Sequence, residues 1–317
     1  MRNTEVVYIG IDVSKETLDM DAGDFGIMKI KNTPAEVRKA LTAIARKAQG
    51  NPLHACFEST GSYHGTLASE CPVMGIAYSI LDPYKAMCFA KSVAHAKTDA
   101  IDASVIRRYA QVRRPAPTPP PRKALVNLDE HLLARESIMK GTVALRCVLA
   151  TLKTPAAGKP LKRVIASNEK KVAEYDRLIA AAVRADAEVA GLADALATVK
   201  GVGTLTAAKL VAWMPELGTL GRRRAAALAG LAPHTRESGK WKGKSRTGGG
   251  RKHVRVALYM CATSAICDNP EMKAFYGRLV ARGVPKLVAL TAVMRRLLCH
   301  LESVAKDYYA RRREVPA

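Results

Sequence analysis

Four carboxylic acids stand at positions that suit a shared metal site. Asp12 and Glu58 each come at the end of an apolar run that is typical of a strand. Asp99 and Asp102 are three residues apart, which places them on one face of a helix. Converging carboxylates repel one another unless a cation lies between them, and oxygen ligands suit Mg²⁺, with Mn²⁺ as the alternative. Two such ions stabilise an in-line displacement at phosphorus. Each acid alone is better explained as a helix cap or surface residue, so the prediction depends on the set.

The first hundred residues contain the elements that must position these acids. A meander of three strands is followed by alternating helices and strands, which predicts an α/β domain with a mixed sheet. One helix has a well-defined start, because Thr33 is placed as its N-cap, Pro34 takes the first helical position and Glu36 completes a capping box. The predicted strands lie at residues 6–12, 17–21, 27–31, 53–57 and 75–81, and the predicted helices begin at residue 34 or lie at 66–72 and 98–112.

A proline-rich segment divides the chain. Residues 115–121 read PAPTPPP, which is stiff and cannot continue a helix. Three domains are therefore predicted, at residues 1–114, 115–196 and 197–317. The middle one has a helix to about residue 153, a break at 154–160 and a second helix from 161 to about 197. Apolar residues of that second helix alternate at spacings of four and three around Asn168, which predicts a coiled-coil arm. A helical hairpin packed within the chain explains the same spacing equally well.

The third domain is predicted to be α-helical and to begin with a helix-hairpin-helix. Gly201 and Gly203 lie in the sequence VKGVGTLTA between two helical segments. Glycines at such a turn let backbone N–H groups face a phosphate at the start of the second helix, without reading base sequence. An ordinary interhelical turn is the alternative. A basic loop at 236–252 and further helices at about 254–309 complete the chain.

The net charge of +23 indicates a polyanionic partner, with nucleic acid preferred over a membrane surface. Almost all of it lies beyond residue 114, and residues 222–255 hold eleven lysines and arginines against one acid, Glu237. Aromatic residues are only 5% of the chain, which argues against base stacking as the main mode of binding. The predicted nucleic-acid contacts are Gly201, Gly203, Arg236, Lys240, Lys242, Lys244, Arg251, Lys252 and Arg255.

Location in the cell is indicated by what the sequence lacks. No apolar run is long enough for a membrane span, and the N-terminus has no signal-peptide pattern. The seven cysteines are odd in number and form no CxxC pair, which is typical of reduced thiols rather than a disulfide framework or a zinc site. A cytoplasmic, nucleoid-associated protein without a membrane partner is expected.

Several motifs resemble those of one insertion-sequence transposase family, whose members carry a DEDD, RuvC-like domain and which includes the Piv-type DNA invertases. The N-terminal motifs are VYIGIDVSK at 7–15, FESTGSY at 57–63 and KTDAIDA at 97–103. The C-terminal ones include AGLAP at 229–233, ESG at 237–239 and GGR at 249–251. The resemblance covers nearly the whole chain, although the middle region matches only in being helical. Position 237 is Glu where Asp is commoner in the family.

The resemblance implies an RNase H-like fold for the first domain, with Asp12, Glu58, Asp99 and Asp102 as its metal-binding tetrad. It implies Ser238 as the nucleophile, in a bridge-RNA-guided serine recombinase. The implied partners are double-stranded donor and target DNA and a structured noncoding guide RNA encoded beside the element. It also implies a homo-oligomer, from dimer to tetramer, in which the metal site of one subunit meets the serine of another.

The energetics of DNA recombination are consistent with a serine nucleophile. Recombination must rejoin DNA without an energy source, and a phosphoserine ester conserves the energy of the broken linkage whereas attack by water discards it. The basic residues Arg236, Lys240, Lys242 and Lys244 are placed to neutralise developing phosphate charge.

Three other functions remain as alternatives. A metal-dependent junction-resolving nuclease would use the same acids with water and would not need Ser238. An actin-like ATPase or sugar kinase would explain GIDVS at 10–14, but it needs further glycine-rich phosphate loops. A DNA-architectural protein would explain the charge and leave the acids without a role. The sequence assigns no role to His64, His95 or the glycines at 248–250.

Overall fold

A computed structural model of the chain describes residues 5–59, 63–93, 99–120, 122–234, 237–238, 241–243 and 245–314. For residues 93, 99–101, 237–238, 241–242 and 314 it describes the backbone only. The chain forms two compact units, Met1–Pro121 and Arg122–Ala317. The division into three domains stays a prediction.

The first unit is built on a five-stranded mixed sheet, as the sequence predicts. The strands are β1 Val7–Val13, β2 Thr17–Asp21, β3 Ile27–Lys31, β4 Leu53–Glu58 and β5 Ala77–Leu81. Their order across the sheet is β3-β2-β1-β4-β5. The β1–β2 and β2–β3 pairs are antiparallel, whereas β4 runs parallel to both β1 and β5.

Helices cover both faces of this sheet. The helices are α1 Pro34–Lys47, α2 Gly65–Val73, α3 Pro83–Val93 and α4 Asp99–Arg113. One face of the sheet, which includes Ile11 and Phe57, forms a core with α1 and α2. On the other face, Cys56 packs against Ile106 of α4. The predicted cap of α1 is confirmed, since the Thr33 hydroxyl accepts a long hydrogen bond of 3.5 Å from the Glu36 amide.

The proline-rich segment is fixed to the edge of the sheet. The Thr118 amide donates to the Tyr78 carbonyl at 2.7 Å, and the Thr118 hydroxyl accepts from the Ile80 amide at 3.0 Å. The Ser79 hydroxyl donates to the Ala116 carbonyl at 2.8 Å. The two bonds of Thr118 occupy backbone groups that edge strand β5 would otherwise leave unpaired.

The second unit begins with two long helices, α5 Lys123–Thr151 and α6 Pro155–Arg184. They lie antiparallel, since Arg135 pairs with Asp176 and Arg146 with Glu169, each at 2.6 Å. The residues of α6 that carry the predicted spacing are all buried or half-buried: Leu161, Ile165, Asn168, Val172, Tyr175, Ile179 and Ala182. An intramolecular hairpin therefore covers at least part of this seam, and a coiled coil with another chain stays a prediction.

Two helix boundaries differ from the sequence prediction. The break lies at residues 152–154 rather than 154–160, because Pro155 is tolerated at the first helical position and Pro160 is accommodated inside α6. The single helix predicted to residue 197 ends at Arg184. A new helix starts there because the Asp186 carboxylate accepts from the amides of Glu188 and Val189 and caps it.

The remaining helices share one core. They are α7 Ala187–Ala197, α8 Thr204–Trp213, α9 Arg222–Leu228, α10 Lys252–Asp268, α11 Pro270–Ala281 and α12 Lys286–Glu314. Leu196, Leu210, Leu258 and Leu297 are fully buried at its centre. Between α9 and α10 lie four two-residue strands: β6 Pro233–His234, β7 Glu237–Ser238, β8 Trp241–Lys242 and β9 Arg246–Thr247. Among the helices of the described residues, none is long and apolar enough to cross a membrane.

Candidate functional site

Asp12 and Glu58 lie at the same edge of the sheet. The parallel pairing of β1 with β4 sets Ile11 opposite Phe57, and the two acids are the next residues along their strands. Side chains alternate between the faces of a strand, so acids in matching register point to the same face. That face is the one that α4 covers, whereas Ile11 and Phe57 point into the core beneath α1 and α2.

Helix α4 can lie directly on β1 because Gly10 has no side chain. A Cβ built on Gly10 would be 2.1 Å from the Ala103 carbonyl oxygen and 2.4 Å from the Arg107 nitrogen. The same helix is tied to β2 by the Arg107 guanidinium, which lies 3.1 Å from the buried carboxylate of Asp21. The Gly23 amide also donates to that carboxylate, at 2.7 Å. These contacts fix the first turn of α4, which carries Asp102, beside the ends of β1 and β4.

Asp12, Glu58 and Asp102 line one cavity of about 370 Å³. The other described lining residues are mostly apolar and come from α3 and α4; they include Ala86, Met87, Val105 and Tyr109. Three of the four predicted acids are thus brought together from two strands and a helix. Asp99 is the first residue of α4, and its side chain lies outside the described part of the structure.

The chemistry of this donor set fits a hard divalent cation, since carboxylate oxygens are the ligands that Mg²⁺ and Mn²⁺ prefer. Within the described part of the chain, however, no three His, Cys, Asp or Glu side chains are close enough to hold a metal ion. The cavity therefore gathers the acids without forming a complete coordination shell from Asp12, Glu58 and Asp102 alone.

Ser238 lies in the second unit, on the short strand β7. Its backbone pairs with Trp241 of β8, and Glu237 pairs with Lys242. The side chains of Ser238 and Lys242 lie outside the described residues, as do the whole of Arg236, Lys240 and Lys244. His95 also falls outside them, whereas the ring of His64 lies 6.3 Å from that of Phe57.

A contact between two glycines holds together the two ends of the segment that carries Ser238. Gly230 and Gly250 both have positive φ, and a Cβ on Gly250 would be 2.3 Å from the Gly230 nitrogen. The Arg251 amide donates to the Leu228 carbonyl at 2.7 Å. The Arg255 guanidinium donates to the Gly249 carbonyl at 2.6 Å. Residues 228–230 and 249–251 are therefore held together at one point, which accounts for Gly249 and Gly250, both at positive φ.

Two of the predicted nucleic-acid contacts make bonds within the protein. Arg255 binds the Gly249 carbonyl, and both ends of the Arg251 guanidinium bind the Glu216 carboxylate at 2.6 Å. Burial alone would raise the pKa of Glu216, but these bonds to Arg251 outweigh it and hold the pKa below its usual value. Lys252, the neighbouring predicted contact, is exposed. The nucleic-acid role of all three stays a prediction.

The two glycines of the predicted helix-hairpin-helix have different environments. Gly201 has positive φ, and a Cβ there would be 2.7 Å from the Ala265 Cβ on α10. Its conformation and packing thus require glycine whether or not a phosphate binds. Gly203 is exposed at the N-cap of α8, and a Cβ there would meet nothing within 4 Å.

Sequence reasoning missed α3, which forms one wall of the acid cavity. Its start could have been found, because Asp82 precedes Pro83 and the Asp82 carboxylate accepts from the Tyr84 amide at 2.9 Å. Tyr109 and Glu216 were missed as well. No local pattern marks either residue, since each has its role through a partner from another element.

Two family models and one curated relative match this chain. Residues 9–152 match a transposase family model of the DEDD, IS110 type, and residues 193–277 match the transposase IS116/IS110/IS902 family. The chain is also similar to the insertion element IS110 uncharacterized 43.6 kDa protein of Streptomyces coelicolor, with 27% identity over 204 residues. That alignment covers 63% of this chain and 47% of the relative, so it spans about half of the relative's length. These matches show that the chain belongs to the IS110 family of insertion-sequence transposases.

Proposed function

We propose that this protein moves its insertion sequence by cutting and rejoining DNA strands, with Ser238 as nucleophile. A divalent ion, Mg²⁺ or Mn²⁺, would be held by Asp12, Glu58, Asp99 and Asp102 in an RNase H-like domain. The observation that carries the proposal is the convergence of Asp12, Glu58 and Asp102 on one cavity at the end of β1, β4 and the start of α4. The sheet order and the family matches support it.

In the proposed step, a bond forms between the Ser238 hydroxyl oxygen and a DNA phosphorus. The bond from that phosphorus to one deoxyribose oxygen breaks, and the hydroxyl proton ends on the released oxygen. The reverse attack by a hydroxyl from another strand then joins the new partner and restores the serine. A divalent cation bound by the acids would polarise the phosphate when present. Among this chain's own residues, the acids bind and orient the divalent cation, and the basic residues around Ser238 offset the charge of the phosphate.

The partners proposed are double-stranded donor and target DNA and a structured noncoding RNA encoded beside the element, which selects both by base pairing. The charge of residues 222–255 supports a polyanionic partner. The proposed assembly is a homo-oligomer, from dimer to tetramer, that acts on the nucleoid in the cytoplasm.

The test is recombination between paired donor and target plasmids, with and without the flanking noncoding RNA. Asp12→Asn and Ser238→Ala should each lower strand exchange by about 10³-fold or more, and Ser238→Ala should also leave no covalent protein–DNA adduct. Matched controls are Asp24→Asn and Ser245→Ala, which change exposed residues of the same types and should retain exchange. Exchange that is equally efficient without the RNA would remove the guide from the proposal.

The same experiment separates recombination from hydrolysis. A junction-resolving nuclease would share the acid cavity but use water, so Ser238→Ala would still cleave at the wild-type rate and yield hydrolysed ends. That outcome would replace the serine mechanism with the nuclease, whereas full activity of Asp12→Asn would overturn both.

A further inference from the structure

The first unit has a second cavity, a cleft of about 690 Å³ between α3 and α4, to which the proposed function assigns no role. Three aromatic rings line it, Tyr84 and Phe89 from α3 and Tyr109 from α4. Two cations, Lys85 and Arg113, lie on it as well, and there is no carboxylate among its described lining residues.

Two of the aromatic rings are packed against each other, and the third is exposed. Phe89 and Tyr109 pack edge to face, with ring centroids 5.5 Å apart and planes at 83°. Tyr84, in contrast, is 69% exposed. A planar apolar ligand would cover the Tyr84 ring, and every nucleic-acid base has such a face.

The two cations of the cleft supply the positive charge that binding the phosphate of a nucleotide requires. Lys85 and Arg113 are both exposed, so each can reach a phosphate oxygen without first losing a buried partner. Aromatic rings beside uncompensated cations are how proteins hold unpaired strands, with the rings stacking on bases and the cations following the backbone.

The cleft adjoins the acid cavity. Tyr109 lines both, and it is the residue of α4 that follows Asp102 by two helical turns. A strand whose phosphodiester lies at Asp12, Glu58 and Asp102 would therefore place a neighbouring nucleotide at the cleft. A base paired in a duplex has no free face, so the cleft suits a nucleotide that has left the stack.

We propose that the α3–α4 cleft binds one unpaired nucleotide of the strand held at the carboxylates, with its base against Tyr84 and its phosphate near Lys85 and Arg113. This inference rests on the proposed function, because it takes the acid cavity as the place where a phosphodiester binds. It concerns a single nucleotide and agrees with the low aromatic content of the chain, which argues against stacking as the general mode of binding.

Cys88 provides a native probe, since it lines the cleft and is exposed. The full chain is alkylated with iodoacetamide with and without oligothymidylate or oligouridylate of about twelve nucleotides, and each cysteine is quantified by mass spectrometry. Cys147 and Cys267 are also exposed and belong to the second unit, so they serve as internal references. We expect bound strand to slow alkylation of Cys88 several-fold relative to both references.

Variants at Tyr84 test stacking directly. Tyr84→Leu keeps an apolar side chain without a ring. This variant should abolish the protection of Cys88 and weaken the affinity of the cleft for the oligonucleotide about 5- to 150-fold. Tyr84→Phe should keep both. Protection by oligothymidylate alone assigns the cleft to DNA, and protection by oligouridylate alone assigns it to RNA; either supports the proposal.

Absence of Cys88 protection by both oligonucleotides, or unchanged protection in Tyr84→Leu, would overturn the inference. Its failure is distinct from that of the proposed function. Nucleotide binding in the cleft is refuted, and the proposed function is not, if Cys88 is unprotected while Asp12→Asn and Ser238→Ala lose strand exchange. The proposed function is refuted alone if Cys88 is protected while those two variants remain active.

Discussion

At the scale of single residues, Gly10 decides whether the acids can meet. It lies in β1 beneath α4, and any side chain there would overlap the helix backbone at Ala103 and Arg107. Backbone cannot rotate away as a flexible side chain can, so α4 would have to move off the sheet and take Asp102 with it. The acid cavity is therefore sensitive to a residue that itself carries no functional group.

Gly10→Ala should destabilise the first unit by about 1–3 kcal/mol or more, because overpacking forces the backbone to shift. Gly65→Ala is the control, since a Cβ at that first position of α2 meets nothing within 4 Å. Urea unfolding followed by circular dichroism measures both. An equal stability for the two variants would contradict the close contact between β1 and α4.

Asp129 makes the second unit sensitive to pH. It is half-buried on α5, and burial raises the pKa of its carboxyl above the usual 3.8 even though the Trp213 indole donates to it at 2.7 Å. The folded state then keeps a proton that the unfolded chain has already lost, so stability falls as pH rises from 3.8 to the raised pKa and is level above it.

Asp129→Asn should remove this loss while keeping an acceptor for Trp213. The variant should therefore gain stability relative to the wild type as pH rises above 3.8, until the raised pKa of Asp129 is passed. Tryptophan fluorescence during urea unfolding at several pH values measures it, since both tryptophans belong to the second unit. Asp307→Asn, at an exposed site on α12, should show no such trend. A pH-independent difference for Asp129→Asn would contradict the burial effect.

At the scale of elements, we expect the position of the segment with Ser238 to depend on the contact between Gly230 and Gly250, which holds its two ends together. Gly250→Ala would place a Cβ 2.3 Å from the Gly230 nitrogen and 2.5 Å from the Leu228 carbonyl, at a positive φ. We expect this variant to lose most strand exchange and to become sensitive to proteolysis within residues 231–250. Gly248→Ala adds its methyl group in open space and should retain both properties of the wild type. Equal activity of the two variants would show that this contact is not needed.

The strands were predictable from the sequence because their evidence is local. Apolar alternation and the acids at strand ends are visible within a few residues, and the N-cap at Thr33 needs only its own turn. The same holds for Asp12 and Glu58, since parallel strands bring their ends to one edge of a sheet. Asp102 reaches the cavity from α4, and its position there depends on how that helix packs on the sheet.

Other elements could not be predicted because their causes are distant in sequence. Pro155 and Pro160 suggest a break, yet Pro155 takes the first position of α6 and Pro160 lies inside this helix, which pairs with α5. Arg251 belongs to a basic run and looks like a phosphate contact, but its guanidinium binds Glu216, 35 residues earlier. Gly201 and Gly250 fit phosphate-binding patterns, whereas close packing against α10 and Gly230 already requires glycine at both positions.

At the scale of the whole molecule, the two proposed parts of the reaction lie in different units. The acids belong to a unit of nearly balanced charge, and Ser238 belongs to a strongly basic one. The proposed metal ligands and most of the lysines and arginines that would attract DNA therefore belong to different parts of the chain. In the proposed homo-oligomer, the acids of one chain and the serine of another would form one centre.

Mixing two inactive variants tests that assembly. Asp12→Asn retains the serine and Ser238→Ala retains the acids, so a centre shared between subunits is intact when the acids come from the second variant and the serine from the first. With random mixing in a two-fold dimer, roughly a quarter of the centres should be intact, and strand exchange should recover to about that fraction. A centre formed within one chain gives no recovery, because every subunit then lacks either the acid or the serine. The double variant mixed with wild type measures the loss due to dilution alone, and recovery no greater than the background of each single variant would assign the whole reaction to one subunit.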